Sequence, residues 1–279
     1  MPRDDVPHLA RWPARLALGF ERRGARTVLA TRSHDGPLVV QKPLYPEGES
    51  VCHAIVVHPP AGIAGGDELV IEVSATNGAA ALLTTPGAGK WYRSTGPRAT
   101  QRVAIDADAA SVEWLPQETI LYDGAHADIS LDARLAGDAT LVAWDIVCLG
   151  RAGSGERFAS GRLRSRARVV RDGRLAWIER GAIAPGGVVA ASPAGLDGRT
   201  VFGTMVVAAP AIADDWLAAA RACAPREGEA VATRLPGVLL ARYRGDSSEA
   251  AREHFGAIWR RLREPVLGRA PVDPRIWRT

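Results

Sequence analysis

Residues 84–94 read TTPGAGKWYRS. If they form a phosphate-binding loop the chain is an α/β protein; if they form an ordinary turn it belongs among β proteins. A P-loop needs G-x-x-x-x-G-K-[ST], because its glycines let backbone N–H groups wrap the phosphates and the hydroxyl binds Mg²⁺. Lys90 does follow Gly89, but Thr84 stands where the first glycine belongs and Trp91 where the hydroxyl belongs. A helix should also begin there, with its N-terminus facing the phosphates. Instead the chain runs on to Gly96-Pro97, a turn signal. The stretch reads as a turn after the buried strand AAALLTT (79–85), with Lys90 in a turn or loop.

On both sides the chain alternates short apolar runs with turn residues. TVLATR (27–32), PLVVQKPLY (37–45), VCHAIVVH (51–58), ELVIEVSA (68–75) and ATQRVAID (99–106) read as strands. SVEWL (111–115), ADISLDARL (127–135), TLVAWDIVCL (140–149), VVA (188–190), VFGTMVVA (201–208) and GVLLARY (237–243) continue the series. Nothing before residue 210 keeps a 3.6-residue period, which argues against βαβ units. No fixed-period sequence repeat is visible, although a β-solenoid can lack a sequence signature. Two helices are predicted near the end. ADDWLAAARACA (213–224) begins at aspartates able to cap it. The second, about 247–263, has a capping-box-like start at Asp246 and Glu249. It carries an apolar stripe of Ala251, Phe255, Ile258 and Leu262 and stops before Pro265. That stripe suits packing on a sheet, with a partner contact through Phe255 and Trp259 as the alternative. The expected fold is mainly β, a large β-sheet or β-helix-like architecture of many short strands with two helices near the C-terminus. It forms one domain over 1–279, β-rich over about 20–210.

The 279 residues are 47% hydrophobic and 24% charged, the composition of a soluble globular protein. A net charge of +4 suits an acidic protein partner but is too small to argue nucleic acid without a recognisable module. Arginine supplies nearly all the positive charge, since Lys42 and Lys90 are the only lysines. Cys52, Cys148 and Cys223 are far apart and form no C-x-x-C pair, which argues against a disulfide framework. Arg3, Asp4, Asp5, Arg11 and Arg15 interrupt the first twenty residues, so neither a secretory signal nor a membrane span is expected there and the cytoplasm is the expected compartment.

RFASGRLRSRARVVRDGRLAWIER (157–180) is the clearest hairpin, turning at Asp172-Gly173. Strand alternation puts Arg162, Arg164, Arg166 and Arg168 on one face and Leu163, Ala167 and Val169 on the other. A solvated face is the plain reading of that row; contact with an acidic protein is the functional one. A nucleic-acid site would usually interleave stacking aromatics, and the row has none.

Chemistry is hard to find. Gly153-Ser154-Gly155 has Ala152 and Glu156 where a nucleophile elbow needs glycines. HPPAGIAGGDELVIEV (58–73) lacks G-x-G-x-x-G and reads as a tight crossing turn in which Asp67 binds backbone amides. Cys52 and His53 are strand neighbours on opposite faces, and Cys52 and His58 lie ~20 Å apart along an extended strand, so neither pair chelates one ion. Asp67, Glu68, Glu113, Glu118, Asp145, Glu156 and Glu179 all adjoin apolar or glycine-rich stretches. A buried subset lining a wet passage would hold a divalent ion weakly.

Read together, HPPAGIAGGDEL, LLTTPGAGKWYRS, ASVEWLPQETILYDGA, LVAWDIVCLGRAGSGERF and the closing RIWRT resemble the urease accessory UreD family, called UreH in some organisms. Order and spacing match from about Trp12 to Thr279. Ala61, Gly89 and Tyr122 depart from the usual residues, and Ala61 would be strained if its position needs φ > 0. The resemblance implies a non-enzymatic scaffold for nickel insertion into apo-urease that binds UreF and, through it, the GTPase UreG. It also implies a β-rich fold with water-filled passages for nickel in transit, no tightly bound cofactor, and room for a dimer within a larger complex. Asp67, Lys90, Tyr92, Glu113, Glu118, Arg151 and Glu156 match family motif positions, with carboxylates as nickel-path candidates and the C-terminal helices as a UreF dock. No nucleic-acid or membrane partner is expected. The rival readings are an enzyme using GAGK or GSGE and a basic nucleic-acid binder using the arginine row.

Overall fold

The computed structural model describes residues 12–278. Residues 1–11 of the N-terminal stretch read above for a targeting signal, and Thr279, lie outside that range. A hairpin of β1 (Pro13–Arg23) and β2 (Arg26–Asp35) comes first. The chain then winds in coils of roughly 30 residues, within the range of solenoid periods. One coil runs β3 (Val39–Val40), β4 (Cys52–Val57), β5 (Gly62–Ile63) and β6 (Glu68–Thr76). The next is β7 (Ala80–Thr84), β8 (Gly89–Trp91) and β9 (Ala99–Asp108), followed by β10 (Ser111–Trp114), β11 (Thr119–Leu121) and β12 (His126–Ala136). The winding closes with β13 (Thr140–Leu149) and β14 (Arg162–Arg171), after which β15 (Arg174–Ile183) turns back antiparallel. A short helix α1 (Val188–Ala191), β16 (Val201–Ala208), α2 (Asp214–Arg221), β17 (Glu229–Leu235), β18 (Val238–Gly245) and the long helix α3 (Ser248–Leu267) complete the chain.

Corresponding strands stack in parallel from coil to coil. β4, β7, β10 and β13 form one face, and β6, β9, β12 and β14 a second. The three short strands β5, β8 and β11 make a narrow third. This is a β-helix, extended at its edges by antiparallel strands. The full order is β15-β14-β12-β9-β6-β1-β2 in sheet 1 and β17-β18-β16-β13-β10-β7-β4-β3 in sheet 2. The parallel crossovers are made by strands of the opposite sheet, so no helices are needed between them.

Two cores follow from period-two alternation. Leu16, Leu18, Ile71, Val103, Leu163 and Val169 of sheet 1 meet Val112, Leu141, Ala143 and Val147 of sheet 2. The other face of sheet 2 (Val142, Trp144, Ile146, Met205) packs on Phe255, Ile258, Trp259 and Leu262 of α3.

Several expectations change. Lys90 is a strand residue of β8, beside Gly62 of β5 and Ile120 of β11, because third-face strands of two or three residues fit inside what reads as a loop. VVA (188–190) is the start of α1, a single helical turn that packs beside β15 but joins no ladder. PLVVQKPLY shrinks to β3 and an isolated bridge at Leu44, the prolines at 43 and 46 removing ladder donors. β1 and β17 are strands beyond those expected from the sequence. Helix α2 stops at Arg221 and has Ala213 as N-cap, its aspartates lying in the first turn. Helix α3 is capped by Ser247, whose side chain accepts from the Ala250 N–H, while Asp246 binds Arg199 and Thr200. It runs through Pro265 to Leu267, and the packing of Val266 and Leu267 offsets the missing donor.

The buried joint between α3 and the β-helix is ionic. Arg263, with a fully buried side chain, donates to Glu47 at 2.5 and 2.7 Å and to Glu113 at 2.9 and 3.1 Å. The Trp259 indole N–H donates to Glu113 at 2.6 Å, and His53 meets Glu47 at 2.5 Å. Burial acts to lower the Arg263 pKa, but its bonds to Glu47 and Glu113 outweigh that and raise it. Burial likewise acts to raise Glu47, and its bonds to His53 and Arg263 hold it below its ordinary value.

Truncating one member leaves an unpaired buried charge. Arg263→Ala is expected to cost about 3–5 kcal/mol in denaturant unfolding; a loss below 1 kcal/mol would show that the joint holds nothing. Ala61 does adopt φ 58°. Ala61→Gly, which relieves that strain at some entropic cost, should raise stability by roughly 0.5 kcal/mol in the same assay.

Candidate functional site

Strand β13 is buried on both faces, and its residue 145 points toward sheet 1 in line with Ala143 and Val147. That residue is Asp145. Its neighbour on β16 is Thr204, and the neighbour of Thr204 on β18 is Arg242. Opposed residues share a face, so Asp145, Thr204 and Arg242 form a polar row along the inner side of sheet 2. Sheet 1 answers with Ser165 of β14 and Glu179 of β15, the latter in line with the buried Trp177 and Ile183.

These groups enclose a cavity of about 80 Å³ between the sheets, lined by Gln101, Trp114, Asp145, Ser165, Glu179 and Thr204 among others. Liquid water occupies about 30 Å³ per molecule, so the space suits a few waters or a partly hydrated ion. Ser165, Glu179 and Thr204 also line a groove of about 550 Å³ that opens between β15, α1 and β17. Glu179 therefore stands at the boundary of the two spaces, paired with Arg242 at 2.5 Å. Among the described residues Asp145 has neither a hydrogen-bond nor an ion-pair partner. Burial, aided by the negative charge of Glu179, pushes its pKa up to about 6.

The other carboxylates are engaged elsewhere. Asp67 accepts from the Ala64 N–H at 2.8 Å within its turn, and Glu68 opens β6 at an exposed position. Glu113 belongs to the α3 joint. Glu118 pairs with Arg252 at 3.1 Å, and Glu156 with Arg151 at 2.7 Å, the Arg151 guanidinium lying 4.3 Å over the Tyr122 ring. Of the seven carboxylates, only Asp145 and Glu179 meet in a cavity. Among the described residues no three His, Cys, Asp or Glu side chains converge as metal ligands.

The arginine row lies on the outer face of sheet 1. Arg166 and Arg168 are both taken by Asp132, at 2.6 and 2.9 Å. Arg162 and Arg164 remain exposed and without an ion-pair partner among the described residues. Phe255 and Trp259, offered as partner contacts in the alternative reading of that helix, are 0% and 1% exposed and packed in the second core, as the packing reading expects. That burial withdraws them from any partner surface. The GAGK segment offers no helix N-terminus, since β8 is followed by a bridge at Arg93 and then β9.

Sequence reasoning passed over Arg242, Ser165 and Thr204. A signal was present for Arg242: in LLARYRG (239–245) it shares the register of Leu240, which is buried toward sheet 1.

The chain matches the family described as UreD urease accessory protein over residues 13–278. It is 55% identical over 270 residues to the urease accessory protein UreD of Azoarcus sp., covering 96% of this chain and 94% of that one. To the protein of the same name from Dechloromonas aromatica it is 51% identical, over 100% and 99% of the two chains. To that of Methylobacillus flagellatus it is 48% identical, over 96% and 95%. A match that spans the β-helix, both edge extensions and the C-terminal helices places this chain in the UreD urease accessory protein family.

Proposed function

We propose that this chain is a non-enzymatic scaffold of urease maturation that passes nickel toward apo-urease through the polar space between its sheets. Family membership ties it to urease maturation. The observation that carries the passage is Asp145, a carboxyl without a partner, held with Glu179 in a cavity that continues into a surface groove. An unpaired carboxyl inside a protein is costly, and a site for a transient cation accounts for its being there. Two carboxylates without imidazole or thiolate bind a divalent metal loosely, and transport requires binding weak enough to let the ion leave. Nickel is cargo in this reading, and no cofactor is held.

The partners in this reading are UreF, UreG through UreF, and apo-urease, met by the chain as a single domain that pairs within a larger complex. The unpaired Arg162 and Arg164 offer a basic patch to an acidic protein surface. The cytoplasm is the proposed compartment; among the described residues no helix is long and apolar enough to cross a membrane.

Asp145→Asn tests the reading with two readouts that move in opposite directions. The native carboxyl binds its proton more tightly than the unfolded one, whose ordinary pKa is 3.8. The site therefore favours the fold in acid, and that advantage is lost as pH rises through about 6. The amide removes the ionised form, so at pH 7.5 the variant should be more stable than wild type by about 1–3 kcal/mol. Below pH 4 the two should converge. Urease co-expressed with the variant should be assembled but nickel-poor. Full nickel content in that urease would refute the passage, and lower stability at pH 7.5 would make Asp145 a structural residue.

A further inference from the structure

Arg242 and Arg244 are both on β18 and both face sheet 1, yet they are held very differently. Arg244 donates to the carbonyls of Pro193 and Gly195 at 2.6 and 2.8 Å and pairs with Glu229 at 2.8 Å. It fastens the 193–195 loop to the sheet. Arg242 has one partner among the described residues, Glu179, contacted by Nη2 at 2.5 Å and Nη1 at 3.3 Å. Both members of that pair reach water, with side chains 45% and 32% exposed. Such a pair contributes little to stability, so it can open without cost to the fold. It spans from β18 of sheet 2 to β15 of sheet 1, across the place where the inner cavity meets the groove.

We propose that Arg242 is the gate of this passage: paired with Glu179 it keeps the mouth closed, and a divalent cation enters by taking Glu179 from it. The proposal rests on the passage reading above and adds its control. Charge balance supports it. With both carboxyls ionised, Asp145, Glu179 and Arg242 together carry one net negative charge; of the other charged groups that line the two spaces, Arg166 is held by Asp132 and Arg244 by Glu229, and Arg180 lies on the groove wall. A monovalent cation competing for Glu179 replaces one positive charge with another and gains nothing over the guanidinium already there. A divalent cation held by both carboxylates neutralises them and leaves Arg242 free to turn outward. The arginine thus selects for double charge at a site whose ligands are too few to select by geometry.

The test is equilibrium dialysis of the full chain against Ni²⁺ alone, with urease activation measured in parallel. Arg242→Gln should bind Ni²⁺ roughly tenfold more tightly, because a like charge competing for the carboxylate is gone. Arg242→Lys, which keeps the charge, should stay near wild type, and adding Asp145→Asn to Arg242→Gln should abolish the gain. Unchanged Ni²⁺ affinity in Arg242→Gln overturns the gate; if Asp145→Asn still leaves urease nickel-poor, the passage stands without it. Normal activation by Asp145→Asn removes passage and gate together. Should Arg242→Gln not fold, Glu179→Gln provides the opposite comparison. It should weaken Ni²⁺ binding by about tenfold, and wild-type affinity there would overturn the proposal.

Discussion

A strand buried on both faces must satisfy two cores at once, and β13 carries that constraint for this protein. TLVAWDIVCL sends Leu141, Ala143 and Val147 toward sheet 1 and Val142, Trp144, Ile146 and Cys148 toward α3. It also joins the parallel winding to the antiparallel extension, through β10 and β11 on one side and β16 on the other. A one-residue slip would exchange the two faces, taking Trp144 off the helix and Asp145 out of the cavity. The register that builds the cores is the register that places the charge.

The interior treats its charges in two ways. At the α3 joint, Arg263 donates to both oxygens of Glu47 and both of Glu113, and Trp259 and His53 add a second donor to one oxygen of each. Every polar group finds a partner, and the helix is fixed to β10 and to the segment before β4. At Asp145 the carboxyl is left facing a cavity, and burial together with the nearby Glu179 charge raises its pKa. Burial alone does not make a carboxylate functional. Glu113 is more deeply buried than Asp145 and is spoken for; what distinguishes Asp145 is the absence of a partner together with space in front of it.

Much of the fold was legible because strand alternation is local. The hairpin at Asp172-Gly173 forms as read, with both turn residues at positive φ. The arginine row takes one face as alternation required. The winding itself was not legible as a repeat: Cys52 lies beside Ala81, Ala81 beside Val112 and Val112 beside Leu141, at unequal separations, so no fixed period exists to find. The third-face strands were too short to announce themselves, which is why Lys90 passed for a loop residue. The site was half legible. Asp145 stands out as the charge inside an apolar strand, but its company depends on which strand of sheet 1 faces it across the interior. Glu113 and Glu118 look no different from Asp145 in sequence, because Arg263 and Arg252, which pair with them, lie in a helix far along the chain.

An unsatisfied carboxyl can persist only where the rest of the molecule is stable without it. Here the two lie apart: the ionic joint locks α3 from the outer side of sheet 2, while the cavity opens on the inner side toward sheet 1. The groove is bounded by β15 and β17, edge strands of the two sheets, each paired on one side only. Edge strands can shift with little disturbance to a core anchored elsewhere. The groove opens at such a margin, while the cavity behind it reaches inward to Gln101 of β9 and Trp114 of β10, so the polar space begins inside the winding and meets the surface where the winding ends.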